Sequence, residues 1–310
     1  MSKEIFIELT DKCNLKCNYC NKYSGNNFIK LELFEKIISQ ISSSNKIDFL
    51  CLWGGEPMLH PNFFDILKII ENNFLNYKGN FKLSINTNGT LLGKNILFIE
   101  SLIKKLKNIN FFIYISLDGY GTIGNLNRNI TDKQFIKIQD NINLCKKLKL
   151  YKNFNFGISS VLTTDFIRIK DFKYFLDFYY AKNININFCF QEKTKGTKLF
   201  FSRDLVPNIL SRYILLRKKG YKIIIESNKD LNNVIRIDSY GNVYNFIDET
   251  FYGSENFLLS KKGDLSFLLR NNLWEQKVSN QDIWNIIYQD NLYIKFISKI
   301  FYTYEQNRNI

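Results

Sequence analysis

The sequence predicts an α/β protein built on a parallel sheet, and three observations carry that prediction. Strand-length and helix-length apolar patterns alternate six times between Glu4 and Phe190, which is how parallel strands joined by right-handed crossover helices read. The unusual polar and glycine-bearing motifs all follow strands, and barrels of parallel strands gather their chemistry at those carboxyl ends. Hydrophobic residues make up 45% of the 310-residue chain and aromatics 16%, enough for the core of one large domain or a domain with an appendage, and too much for a disordered chain.

Taken in order, a short apolar strand runs from Glu4 to Thr10 and ends in a loop holding Cys13, Cys17 and Cys20. Leu33, Phe34, Ile37, Ile38 and Ile41 recur at helical spacing, predicting a helix over Leu31–Ile41. Ile47–Trp53 reads as a strand followed by Gly54-Gly55-Glu56-Pro57, then a helix over Asn62–Phe74. Phe81–Asn86 is a strand closing on Thr87-Asn88-Gly89, Leu97–Leu106 a helix, and Asn110–Leu117 a strand closing on Asp118-Gly119. Helix Gln134–Leu148, strand Phe154–Leu162, helix Phe166–Tyr180 and strand Ile184–Phe190 complete the alternation.

Beyond Gln191 the pattern changes. Val206–Lys219 reads as a helix and Lys222–Glu226 as a strand. Val234–Phe246 reads as a hairpin about Gly241-Asn242. Two helical stretches follow, near Leu265–Asn271 and Gln281–Tyr304. With no long Pro- or Ser-rich linker, the expected division is a core over residues 1–195 and a small α+β extension over 196–310, packed together.

Three thiols within eight residues cannot all be core residues, because a core cysteine is an isolated small hydrophobe. Neighbouring thiolates repel unless a cation lies between them, so the spacing C-x3-C-x2-C points to a metal centre. Three protein ligands suit a cluster with one iron left open. A structural zinc site would want a fourth ligand. Cys51, Cys145 and Cys189 lie inside strand or helix patterns as core residues, and His60, the one histidine, sits in a loop. The formal charge of +14 keeps open a zinc-stabilised nucleic-acid-binding protein, but the basic residues are scattered, as on solvated helix faces. A non-catalytic barrel serving as a carrier is the third class considered.

Cys13-x3-Cys17-x-Tyr19-Cys20, with an aromatic before the last cysteine, resembles the signature of radical S-adenosylmethionine (radical SAM) enzymes. The resemblance implies a partial (β/α)6 TIM-like barrel with a single [4Fe–4S] cluster held by Cys13, Cys17 and Cys20. The cluster's open iron is chelated by S-adenosylmethionine, whose reductive cleavage yields a 5′-deoxyadenosyl radical that abstracts a substrate hydrogen. Gly54, Gly55 and Glu56 then become the loop that takes the methionine ammonium, side-chain-free backbone being able to approach a ligand closely. Asn86 and Asn88 could reach ribose hydroxyls, Thr87 beside them. Ser116, Asp118 and Arg128 fall near the methionine carboxylate, Ser160 offers backbone to the adenine, and Tyr19 lies over the cluster.

The hairpin resembles the start of the SPASM or twitch extension of peptide-modifying relatives, but has Phe246 where that extension has a cysteine, and no cysteine follows Cys189. Auxiliary clusters are therefore not expected. A peptide or protein substrate of the ribosomal-peptide type leads, with a carbohydrate, nucleoside or other small molecule next. The implied reductant is a flavodoxin or ferredoxin. Neither a leader segment nor a run of eighteen apolar residues is found, so the expectation is a cytoplasmic, oxygen-sensitive enzyme that engages neither membrane nor nucleic acid.

Overall fold

The computed structural model describes residues 4–20, 25–44, 47–162, 172–190, 223–225, 234–245 and 251–253. Its centre is one ten-stranded sheet. Strands β1 (Glu4–Thr10), β2 (Phe49–Gly54), β3 (Lys82–Thr87), β4 (Asn110–Ser116), β5 (Phe154–Leu162), β6 (Asn185–Phe190) and β7 (Ile223–Ile225) lie side by side in chain order, every pair parallel. The interleaved helices are α1 (Leu31–Ser44), α2 (Phe63–Phe74), α3 (Leu92–Lys105), a single turn α4 (Gly121–Gly124), α5 (Asp132–Leu148) and α6 (Phe172–Ala181). This is the open parallel sheet of a partial TIM-like barrel.

The two faces of the sheet differ. One row of side chains includes Ile5, Ile7, Leu9, Leu50, Leu52, Leu83, Ile85, Ile113, Ile115, Phe156 and Ile158. It forms one buried core with Leu33, Phe34 and Ile37 of α1, Ile66 and Ile70 of α2, Ile99 and Leu102 of α3, and Ile138 and Ile142 of α5. The helices therefore cover this face. Strand side chains alternate, so the opposite face carries Glu8, Cys51, Trp53, Ser84, Asn86, Tyr114 and Ser116, in register across β1 to β4. A closed barrel fills its interior with branched apolar layers. Here the inward face is polar and aromatic. Cys51, expected in the core, is buried, but on this inward face, beside Phe6 and Ser84 in register.

The predicted hairpin is present and does more than append itself. Strand β8 (Val234–Ile237) lies parallel to β1, and β9 (Val243–Asn245) and β10 (Phe251–Gly253) continue antiparallel beyond it. Arg236 Nη2 reaches Glu8 Oε2 at 3.3 Å, its guanidinium lies 5.1 Å from the Trp53 ring, and Ser239 Oγ lies 3.4 Å from Glu8 Oε1. The turn is tied to the cysteine loop as well: Tyr240 donates to Asp11 Oδ2 at 2.9 Å, and Asn27 Nδ2 to the Ser239 carbonyl at 2.6 Å. The strands beyond residue 195 thus extend the same sheet as the core.

Several boundaries differ from expectation. α3 begins at Leu92, not Leu97, because buried Leu92 joins Ile99, Leu102 and Ile103 on its apolar side despite the glycine at position 93. α5 begins at Asp132 because Thr131 and Gln134 make a reciprocal cap, Gln134 N donating to Thr131 Oγ1 at 3.3 Å and Thr131 N to Gln134 Oε1 at 2.9 Å. The predicted helices over 206–219, 265–271 and 281–304, and residues 166–171 of the one expected over Phe166–Tyr180, lie outside the described residues.

Candidate active site

Strand β1 hands the chain to the cysteine loop at Thr10. Its hydroxyl donates to the Asn27 carbonyl at 2.5 Å and accepts Lys12 N at 3.0 Å. The loop is also braced by the segment that follows α4: Asn18 N donates to the Asn127 carbonyl at 2.7 Å, and Asn129 Nδ2 donates to the Lys16 carbonyl. Cys17 is buried, while Cys13 and Cys20 are half-buried. Burial pushes the Cys17 thiol up to about 12, against the pull of the Arg128 guanidinium, and also raises Cys13. The charge of Cys20 raises both thiols a little further, and that of Cys13 adds to the effect on Cys17. Among the described residues, no three His, Cys, Asp or Glu side chains gather about one ion-sized point.

The donor chemistry fits an iron–sulfur cluster. Two N–H groups point at Cys13 Sγ, Leu15 N at 3.4 Å and Asn88 Nδ2 at 3.9 Å, and such donors favour electron-rich sulfur. His60 is occupied elsewhere: Nε2 lies 2.9 Å from the Ile29 carbonyl and Nδ1 accepts Asn62 N at 3.1 Å. Burial holds its pKa below the usual imidazole range, so it stays a neutral brace.

The Gly54–Glu56 loop presses against the cysteine loop. Gly55 N donates to the Thr10 carbonyl at 2.7 Å, and Glu56 N to the Lys12 carbonyl at 2.8 Å. A Cβ on Gly54 would stand 2.2 Å from the Thr10 carbonyl oxygen, and one on Gly55 2.2 Å from that of Lys12. Gly54 also has φ of +143°. The glycines are required here by backbone meeting backbone, whatever ligand the loop also approaches.

Glu56 is fully buried. Its Oε1 accepts the Thr87 hydroxyl at 2.8 Å and Met58 N at 3.2 Å, and its Oε2 accepts Asn88 N at 2.8 Å. Burial raises its pKa to about 7 despite these three donors. The carboxylate therefore clamps the end of β2 to the end of β3. Asn88 is similarly committed. Its Oδ1 accepts Thr90 N and Thr90 Oγ1, at 2.9 and 2.6 Å, and its Nδ2 donates to Asn14 Oδ1 at 2.8 Å, so no amide lone pair remains for a ribose hydroxyl. Asn86 differs. Its Oδ1 is buried with no protein partner, on the inward face.

At the end of β4, Asp118 joins three segments. Its Oδ1 accepts Arg128 Nη2 and Val161 N, each at 2.9 Å, and its Oδ2 accepts the Tyr19 hydroxyl at 2.6 Å. The Arg128 guanidinium lies 5.6 Å from the Tyr19 ring centre, and its carbonyl accepts the Cys17 thiol at 3.9 Å. Arg128 pairs with Asp118, and its Nε is a buried donor without a protein partner. Asn125 holds the turn, accepting Asp118 N at 2.9 Å and donating to the Gly119 and Gly121 carbonyls at 2.8 Å each. Ser116 lies on the inward face one row beyond Tyr114. Ser160 is buried, and its register with Phe188 sets its side chain on the helix-covered face, so backbone is what it presents at the strand end.

The predicted residues thus form two linked groups, one about Cys13 (Glu56, Asn88) and one about Cys17 (Tyr19, Asp118, Arg128). Asn86 and Ser116 lie on the inward face, and Ser160 adjoins the second group through Val161 N, which donates to Asp118. Asn14, Thr90, Asn125, Glu8, Trp53 and Arg236 were missed. The signal for the first three is polar turn residues inside the motifs, and for Glu8 a carboxylate at an interior position of an otherwise apolar strand.

Strand ends that bring three cysteines, a glycine loop and a buried Asp–Arg pair to one mouth mark an enzyme of the partial-barrel class. The sequence model of the radical SAM superfamily matches residues 7–171, and the chain belongs to that superfamily, whose enzymes use a [4Fe–4S] cluster and S-adenosylmethionine. It is 27% identical over 239 residues to an uncharacterized protein of Methanocaldococcus jannaschii, covering 73% of this chain and 74% of that one. It is 33% identical over 221 residues to the cysteine-type anaerobic sulfatase-maturating enzyme of Clostridium perfringens, covering 65% of this chain and 55% of the enzyme. Among solved structures, native anSMEcpe with bound AdoMet and the Cp18Cys peptide shares the fold, with a TM-score of 0.62 at 22% identity over 89% of this chain and 81% of that one. Among the described residues, no helix is long and apolar enough to cross a membrane.

Proposed function

We propose that Cys13, Cys17 and Cys20 hold a single [4Fe–4S] cluster, that the ends of β2 to β5 hold S-adenosylmethionine beside it, and that the substrate is a peptide or protein. The observation that carries this reading is the convergence of the cysteine loop, the Gly54–Glu56 loop and the Asp118–Arg128 pair on one mouth. A cluster held there would supply the electron for reductive cleavage of S-adenosylmethionine, and with it the chemistry of hydrogen abstraction. The chain's own residues bind and orient. The carbonyls of Gly54 and Gly55 accept the methionine ammonium, while Glu56 fixes the loop from behind. The unpartnered Nε–H of Arg128 serves the methionine carboxylate, with Asp118 holding the guanidinium in place and Ser116 nearby. The unpartnered Oδ1 of Asn86 accepts a hydroxyl, and the Ser160 backbone borders the adenine. Tyr19 roofs Arg128.

The peptide assignment draws on the sulfatase-maturating relative and on the peptide bound in anSMEcpe. A low-potential flavodoxin or ferredoxin supplies electrons, in the cytoplasm. Anaerobic purification with iron and sulfide analysis, then assay for 5′-deoxyadenosine after reduction, tests the chemistry. A colourless zinc protein, or an iron protein releasing no deoxyadenosine, refutes it. Mass spectrometry of candidate peptides after turnover tests the substrate: a peptide shifted in mass only with S-adenosylmethionine is expected.

A further inference from the structure

We propose that Asn88 is a positioning residue for the sulfur of Cys13, locked by Asn14 and Thr90 so that its amide N–H raises the reduction potential of the cluster. This rests on the reading of Cys13 as a cluster ligand.

The geometry is a closed ring of three side chains. Asn88 Nδ2 donates to Asn14 Oδ1 at 2.8 Å, Asn14 Nδ2 donates to Thr90 Oγ1 at 2.8 Å, and the Thr90 hydroxyl donates to Asn88 Oδ1 at 2.6 Å. Thr90 N adds a second donor to that oxygen at 2.9 Å. The ring fixes which end of the Asn88 amide is nitrogen, since a flipped amide would set N–H against the Thr90 backbone N–H. One Nδ2 hydrogen is spent on Asn14. The other faces Cys13 Sγ at 3.9 Å. Asn88 is buried, and its backbone is anchored by Glu56 Oε2 at 2.8 Å, so the amide cannot swing away.

A one-electron reduction adds negative charge to the cluster, much of it on the ligand sulfurs, and an N–H aimed at one of those sulfurs favours the reduced state. The arrangement is asymmetric. Cys13 receives Leu15 N and Asn88 Nδ2, whereas Cys17 faces a carbonyl, that of Arg128. Among the described residues, Asn88 is the side chain that donates to this sulfur pair.

The experiment is an EPR-monitored potentiometric titration of the reconstituted protein with a europium(II) chelate, alongside iron content and thermal midpoint. Asn88→Asp exchanges the donor for a negative acceptor, and the equilibrium constant for reduction is expected to fall at least about tenfold, or 59 mV for one electron. Thr90→Val keeps the amide but releases its clamp, and a smaller shift in the same direction is expected. Full iron with the wild-type potential in Asn88→Asp overturns the proposal. If that variant fails to retain iron, Thr90→Val and Asn14→Ala decide, and an unchanged potential in both overturns it. If Cys13→Ser keeps full iron and an unaltered potential, the ligand assignment itself has failed, a result distinct from any Asn88 outcome.

Discussion

The hydroxyl of Tyr19 lies 2.6 Å from Oδ2 of Asp118, so the aromatic of the cysteine motif is bonded to the carboxylate that ends β4. The same carboxylate pairs with Arg128, both side chains being almost wholly buried. Tyr19→Phe is expected to cost about 1.5–3 kcal/mol, the range for a hydrogen bond to a charged group. Asp118→Asn strands a buried guanidinium and is expected to cost about 3–5 kcal/mol. Urea denaturation of the two variants checks the order, and an Asp118→Asn cost no larger than that of Tyr19→Phe contradicts it.

Gly55→Ala drives a methyl to within 2.2 Å of the Lys12 carbonyl oxygen. Because both partners are backbone, the cysteine loop itself must move, at about 1–3 kcal/mol. A lower midpoint together with reduced iron per chain is the expected pair of results. Loss of stability with undiminished iron would show that the two loops move independently.

Glu56 has a folded-state pKa near 7, raised by burial from the ordinary carboxylate value of 4.5. The folded state then holds its proton more tightly than the unfolded chain. The stability this provides is present in full below about pH 4.5 and is lost as pH rises through about 7. Wild type should therefore lose stability relative to Glu56→Gln between pH 5 and 7, by at most about 1.4 kcal/mol per pH unit. Parallel curves of urea midpoint against pH would contradict this.

If Cys13, Cys17 and Cys20 hold the cluster as proposed, serine at any one of them should abolish cluster retention and deoxyadenosine release, since three ligands leave none to spare. Serine at Cys145, buried on α5 against the core, should leave iron content unchanged while lowering stability. Iron assay of the four variants separates ligands from core thiols.

Much of this was legible in the sequence for physical reasons. Apolar periodicity sets β1 to β6 and most of the helices between them, and glycine or asparagine marks the loops that follow β1 to β4. Helix starts were less legible, since Gly93 masked the first turn of α3 and the cap at Thr131 precedes the apolar repeat. Within the site, residue types pointed to the right loops but not to their partners. The resemblance sets Arg128 near the methionine carboxylate, and in the fold it pairs with Asp118, ten residues before it. The sequence suggests a ribose contact for Asn88, whereas in the fold Asn14 and Thr90 take up its amide. Such pairings depend on loops from different strands meeting, which spacing along one loop cannot encode. The parallel docking of β8 on β1 was illegible for the same reason.

That docking ties the beginning of the chain to a much later stretch. During synthesis β1 can find β2 early, but its other edge has no partner until Val234–Ile237 has left the ribosome, and Glu8 waits as long for Arg236. For most of translation, then, the nascent protein exposes the open outer edge of β1. A chain halted near residue 190 should associate through that edge, whereas the full-length product, once released, has it sealed.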